Sequence, residues 1–380
     1  EEVIVTAQRI EENAQKVPIA ISAFDEAMIE DRQIIGIADL QIYVPNFSAT
    51  TNDLSDANFS IRGIGSLVSV NDAESGVSLH MNEIPLAAGQ PPIELYDIQR
   101  LEVLRGPQGT LYGRNATGGV INLITNKPTF DGTSGYLDAE LGDYDQRRLR
   151  GALNLTINDS LAVRVAGLYL ERDGFTKNLA GGQVPGVASD VDGRDLYGVR
   201  ATTTWRVSDR TEAWFSYEKL DEDDDRMFTH NFICKTSPVP ADRCVPGVFA
   251  LEPAHPTTFT VSTRPAELGV LIPLGAGSAE TGLSFQYPRP TFSDLRKVHL
   301  DFEPEYQLDQ DIWQLGIRHK FEHAELSISA GYQEWVWHAA TDSDWSVGPD
   351  LNPTASNPSG LWPVSAFPGG VDALNAPGCE

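Results

Sequence analysis

From about residue 131 onward, apolar and polar side chains alternate with period two in run after run. The runs are Gly135–Tyr144, Gln146–Asp159, Ser160–Gly174, Arg194–Asp209, Arg210–Asp223, Asp311–His323 and Ala324–Ala339. Such alternation predicts β-strands with two unlike faces. Within one run, Leu161, Val163, Val165, Gly167 and Tyr169 share a face, while Ala162, Arg164, Ala166, Leu168 and Leu170 share the other. The connections alternate too. Asn158–Ser160, Ser208–Arg210 and the bend near His323–Ala324 are tight, whereas Asp173–Gly193 is long and Asp221–Asp294 very long. A β-sandwich places short loops at both ends. Tight turns on one side and long loops on the other suit a transmembrane barrel. Trp205, Trp214, Tyr217, Trp313, Tyr332, Trp335 and Trp337 lie in these runs, where an interfacial aromatic girdle belongs.

Composition narrows the alternatives. The chain has 380 residues, 41% of them hydrophobic, and lacks the run of about eighteen apolar residues that a membrane-crossing helix needs. A formal charge of -26 argues against a nucleic-acid partner, which requires a basic footprint. Cys234 and Cys244 stand close together in a loop-like region, and Cys379 is penultimate. In an exported protein a Cys234–Cys244 disulfide pinning that loop is the expectation, with two free thiols as the alternative. No signal peptide opens the sequence, which in an exported protein implies a mature form. No catalytic triad, HExxH or paired cysteine–histidine pattern points to an enzyme, and no cofactor is expected.

The first 130 residues have a different texture. "EEVIVTA" is a short β-prone run and "QRIEENAQKVP" a polar linker; Val17–Pro45 reads as a strand and two short helices, with Asp25 as an N-cap. The stretch "LYDIQRLEVLRGPQGTLYGRNATGGVINLITNKP", Leu95–Pro128, concentrates glycines between two β-rich runs. A phosphate loop would end in GK[ST] and open a helix. Here the glycine run holds no lysine and enters the β-branched strand "VINLIT", so the stretch reads as structural.

Together these segments resemble a TonB-dependent outer-membrane receptor. "EEVIVTA" resembles the TonB box, "IRGIGS" (Ile61–Ser66) a plug motif, and Leu95–Pro128 the strongest signature of the plug domain. One departure stands out: "LHMNEIPL" (Leu79–Leu86) replaces an aromatic, an aspartate and a glycine that such plugs often carry. The resemblance implies an α+β plug domain inside a transmembrane antiparallel β-barrel of about 22 strands, of which this chain would hold the first third. The implied divisions are a TonB box and tether over 1–10, a plug over 11–130, and barrel strands with extracellular loops over 131–380. An open sheet in lipid leaves two costly edges, so a longer polypeptide is expected.

The implied function is active uptake of a scarce nutrient such as a siderophore or carbohydrate. A TonB protein, powered by ExbB-ExbD, would bind Glu2, Val3, Ile4, Val5, Thr6 and Ala7 as an added strand. Arg62, Gly63, Glu102, Arg105, Gly106, Gly109, Tyr112, Gly113, Arg114, Gly118 and Gly119 would form the plug motif. In it Gly106 and Gly109 would permit bends, Gly118 and Gly119 would lie against the barrel wall, and Arg105 and Arg114 would find carboxylates, some on barrel strands. Substrate would meet plug apices at Gly65–Ala73 and Ile84–Pro91, and the long loops. The acidic loops suit a neutral or cationic substrate, or a carbohydrate held by Trp345 and Trp362. Asp221, Asp223 and Asp225 offer a weak Ca²⁺ site or a cation-bridged contact with lipopolysaccharide, against the plainer reading of a solvated strand end. Outer-membrane lipid and a surface lipoprotein are further implied partners. The alternatives are a TonB-linked signalling receptor and a non-transporting component of an outer-membrane assembly.

Overall fold

A computed structural model describes residues 4–6, 9, 12–51, 57–65, 75–87, 93–179, 181, 186–226, 257–260, 285–288, 296–298, 300 and 302–340. The N-terminal module opens with β1 (Ile4–Val5) paired antiparallel to β2 (Glu12–Asn13). There follow β3 (Ile21–Asp25), α1 (Glu26–Asp31), a 3-10 turn (Ile37–Ile42), β4 (Phe47–Thr51), β5 (Ala57–Ile61) and β6 (Ile64–Gly65). Next come β7 (Val77–Met81), β8 (Ile84–Pro85), β9 (Ile98–Arg105), α2 (Gly109–Tyr112) and β10 (Gly119–Thr125). Asp25 caps α1 as expected: its Oδ1 accepts the Met28 N–H at 2.8 Å.

The module is built on a sheet of order β3-β9-β10-β7-β8, in which β10 and β7 run parallel and the other pairs antiparallel. The sequence accounts for this core directly. All seven residues of β10 and all five of β7 are buried, as strands covered on both faces require. Phe24, Leu40, Ile61, Leu101, Val103, Ile121 and Leu123 gather there, each worth roughly 2 kcal/mol of burial. Ile312, from a strand far along the chain, joins the same cluster.

The later strands are β11 (Ser134–Leu141), β12 (Arg147–Asn158), β13 (Leu161–Arg172), β14 (Thr176–Asn178), β15 (Asp190–Val191), β16 (Arg194–Ser208) and β17 (Thr211–Asp224). They continue as β18 (Thr257–Thr260), β19 (Phe285–Pro288), β20 (Lys297–Val298), β21 (Glu305–Lys320) and β22 (Glu325–Ala340). Seven form one antiparallel wall in the order β11-β12-β13-β16-β17-β21-β22. A second compact unit, Phe175–Val191, His230–Glu303 and Thr341–Glu380, contains the small sheet β15-β14-β20 and the antiparallel pair β18-β19. In it Asn178 pins Leu300, accepting its N–H at 3.0 Å and donating to its carbonyl at 3.1 Å.

Period two divides the wall into faces. On β16, Leu196, Arg200, Thr202 and Thr204 are buried against the N-terminal module, while Tyr197, Val199 and Trp205 are exposed. The exposed face continues through Leu149, Leu153, Val165, Phe215, Leu315, Ile317, Ile328 and Val336. Apolar side chains so displayed suit a lipid neighbour. Across that face Tyr217, Trp313 and Tyr332 form an aromatic row with ring centres 5.5 and 5.4 Å apart.

The girdle expectation needs correction at three tryptophans. Trp335 and Trp337 stand opposite Gln310 and Leu308, and pack with Tyr96 on the inner side. Trp214 also points inward, stacking beneath Lys127 at 4.9 Å and filling the space a side chain at Gly316 would need.

Candidate functional site

Two linked sites hold the N-terminal module in place, and both centre on β9 and the residues just before it. The first seats the N-terminal strand. Val5 is fully buried with Val17, Leu104, Tyr112, Ala116 and Val120. Thr6 donates its backbone N–H to Glu102 Oε1 at 2.7 Å, and its hydroxyl lies 3.2 Å from the same oxygen. Glu102 is itself fully buried on β9, where it also accepts from Arg100 Nε at 2.8 Å and from Asn122 Nδ2 at 3.3 Å. A buried carboxylate with donors from three residues is well satisfied, and its bonds are of the stronger, charge-assisted kind. The Tyr112 hydroxyl donates to the Thr6 carbonyl at 3.4 Å. Arg9 closes the seat, donating from Nε to the Leu111 carbonyl at 2.9 Å and lying over the Tyr112 ring.

Thus Ile4, Val5, Thr6, Glu102 and Tyr112 come together, whereas Glu2, Val3 and Ala7 lie outside the described residues. His80 stands beside them. It is fully buried, 2.9 Å from Ser78 Oγ, with its ring edge-on to Tyr112. Burial pushes its pKa down to about 4, so the imidazole is neutral.

The second site is the seam with the wall. Asp97 accepts from Arg164 Nε at 2.8 Å and from its Nη2 at 2.5 Å. Arg200, 2% exposed, pairs with Glu218 at 2.8 Å, donates to the Tyr96 carbonyl at 3.2 Å and stacks on the Tyr96 ring. The Tyr96 hydroxyl returns a bond to Glu218 at 3.1 Å. Glu94 pairs with Arg194 at 2.7 Å and lies 3.9 Å from Arg148. Beyond β10, Asn154 clamps the connecting segment, accepting the Thr129 N–H at 2.8 Å and donating to the carbonyls of Thr129 and Gly132.

The polarity of this seam is set by residues other than Arg105 and Arg114. Acids on the N-terminal module meet arginines on the wall. Arg114 is exposed yet not without an interaction partner, and Arg105 is half-buried, its Nε enclosed and without a hydrogen-bond partner among the described residues. The glycines also act differently. Gly109 opens α2 with open space around it, so no bend there demands glycine. Gly118 and Gly119 lie against other parts of their own module, not the wall: a Cβ on Gly119 would fall 2.2 Å from the Leu104 carbonyl oxygen. Gly106 and Gly113 have φ of +112° and +83°, and Arg62–Gly63 forms the turn between β5 and β6 with φ of +55° and +78°.

Asp221 and Asp223 occupy the outer face of β17, but Asp225 lies past its end and accepts the Gly193 N–H. Among the described residues no three potential ligands gather as a metal site. Cys234, Cys244, Trp345, Trp362, and most of the two expected apices lie outside the described residues.

Residues 13–120 match the family model "TonB-dependent Receptor Plug Domain". The pesticin receptor of Yersinia pestis is 36% identical over 106 residues, which cover 28% of this chain and 15% of that protein. The iron-regulated outer membrane virulence protein of Vibrio cholerae is 31% identical over 185 residues, 46% of this chain and 28% of its own. The chain therefore spans less than a third of either relative. Two solved structures share the fold. One is the ferric yersiniabactin uptake receptor from Yersinia pestis, with a TM-score of 0.62, 18% identity, and coverage of 84% of this chain and 41% of that one. The other is a siderophore receptor from Acinetobacter baumannii, with a TM-score of 0.58, 16% identity, and coverage of 86% and 38%.

Proposed function

We propose that this chain, which belongs to the TonB-dependent receptors of the Gram-negative outer membrane, takes up a small iron chelate of the siderophore class by letting TonB draw its N-terminal strand off the plug. The seated strand carries this reading. Ile4 and Val5 are β-branched and already extended, and Val5 and Thr6 are held by contacts that a pull can break. An outer membrane holds no nucleotide pool, so the work must arrive mechanically. A partner that adds Ile4–Thr6 to its own sheet edge would grip through backbone hydrogen bonds and compete with Glu102 for the Thr6 N–H. ExbB-ExbD would power that partner, and lipopolysaccharide would surround the wall. The substrate class follows the relatives and neighbours, one named as a siderophore receptor and another as a ferripyoverdine receptor.

The test is Val5→Pro in the full-length receptor. Proline removes the Val5 N–H and resists ladder pairing. Binding of labelled ferric siderophores to cells should persist while their energised uptake disappears. Normal uptake by this variant would refute the reading.

A further inference from the structure

The turn Asn82–Glu83 joins β7 to β8, with Met81 opposite Ile84. Its φ angles are +53° and +67°, the left-handed pair of a two-residue hairpin. Asparagine accepts that conformation readily. Glutamate does not, because its Cβ crowds the following carbonyl. The strained residue is Glu83.

Surrounding groups hold the turn in this state. Asn82 Oδ1 accepts the N–H of Thr125 at 3.0 Å, and its Nδ2 donates to Gln314 Oε1 at 2.8 Å. Gln314 Nε2 donates back to the Met81 carbonyl at 2.9 Å. Two routes then lead from the turn to Thr6. By one, the Glu83 N–H donates to Asn122 Oδ1 at 3.1 Å, and Asn122 reaches the Glu102 carboxylate that holds Thr6. By the other, His80 Nδ1 lies 3.3 Å from the Glu83 carbonyl, and its ring packs on Tyr112, which bonds Thr6. The half-buried Glu83 carboxyl also feels Arg9, itself part of the seat. On the far side, Ile84 packs against Gly331 of β22, and the Ala87 N–H donates to Gln333 at 3.1 Å.

We infer that the Asn82–Glu83 turn is a strained two-state element that sets how firmly Thr6 is held on Glu102. The inference rests on reading β1 as the segment to be released. Relaxing Glu83 out of the left-handed region turns its N–H away from Asn122, which then no longer orients Glu102, and the hold on Thr6 weakens. Coupling of this kind is reciprocal: whatever biases Ile84–Ala87 biases Thr6 equally.

The test uses the full-length receptor in detergent without TonB. Release of the strand is read as the rate of tryptic cleavage at the Arg9–Ile10 bond, followed by mass spectrometry. Glu83→Gly removes the strain and should slow cleavage about tenfold. Glu83→Ala keeps a Cβ and should stay well short of that. Asn122→Ala should speed cleavage, and in its background the Glu83→Gly effect should shrink. The inference is overturned if Glu83→Gly leaves the rate unchanged, if Glu83→Ala slows it equally, or if the two substitutions add in full. Should Asn122→Ala fail to fold, the glycine–alanine contrast alone decides. Because TonB is absent, these outcomes are independent of the Val5→Pro result, and either reading can fail while the other survives.

Discussion

Arg164, on β13, grips Asp97 of the plug with two parallel N–H···O bonds, Nε to Oδ2 at 2.8 Å and Nη2 to Oδ1 at 2.5 Å. Asp97 is almost wholly enclosed, with its side chain 2% exposed. Arg164→Ala leaves that buried carboxylate without its cation, with only the neutral Asn126 amide still donating to it at 3.1 Å among the described residues, and should loosen the plug by about 3 kcal/mol. Asp97→Asn/Arg164→Met should lose less than the two single changes combined. Susceptibility of the plug to urea in the intact receptor, followed by proteolysis, measures both.

Glu102→Gln keeps the shape of the seat and removes its charge. Thr6 and Arg100 then face a neutral amide, and charge-assisted bonds are about twice as strong as neutral ones. Cleavage at Arg9–Ile10 should rise about tenfold, with the barrel strands equally resistant before and after.

Gly119→Ala should cost about 2 kcal/mol or more, because the new methyl has backbone against it, 2.2 Å from the Leu104 oxygen, and backbone cannot swing aside. Gly109→Ala, with nothing within 4 Å of its would-be Cβ, should be neutral or mildly stabilising. Calorimetry of the two variants side by side separates them.

His80 makes plug stability pH-dependent. Its folded pKa is lowered from 6.5 to about 4 by burial, with the Glu83 carbonyl opposing and Arg9 adding to the shift. The unfolded imidazole takes up a proton below about pH 6.5, while the folded one stays neutral. Stability is therefore complete above pH 6.5 and falls as pH drops toward 4, by at most roughly 3 kcal/mol. His80→Gln should flatten that slope between pH 6.5 and 4 in the plug's calorimetric transition, and an unchanged slope would assign the effect elsewhere.

Much of the architecture was legible because alternation is a backbone property. Each strand of the wall was visible as its own run of period two, and tight turns fell at Asn158–Ser160 and Ser208–Arg210. The facing of Trp335 and Trp337 was not. In "YQEWVWHA" both faces carry apolar side chains, because a wall with lipid outside and a plug inside buries apolar groups on both sides. Only pairing with Gln310 and Leu308 on β21 fixes which way they point. The polarity of the seam was hidden for a related reason. Arg105 and Arg114 stand beside glycines in the sequence, whereas Asp97 and Glu94 lie where the chain meets β13 and β16, and that meeting is tertiary. Glu102 carried a readable hint: it lies between Leu101 and Val103 in a buried run, where an acid must have donors.

The order β3-β9-β10-β7-β8 has a mechanical consequence. β3 is the edge nearest in sequence to the grip, whereas Asn154 staples the opposite end of the plug, at Thr129 and Gly132, to the wall. Tension entering at Thr6 meets an outermost ribbon that can peel from β9 one rung at a time, beginning at Ile21 opposite Leu104. The doubly flanked strands behind it would have to shear all their rungs together. A modest steady force on Thr6 would therefore unravel the leading portion of the plug and leave the part beyond β10 moored to the wall at Thr129 and Gly132.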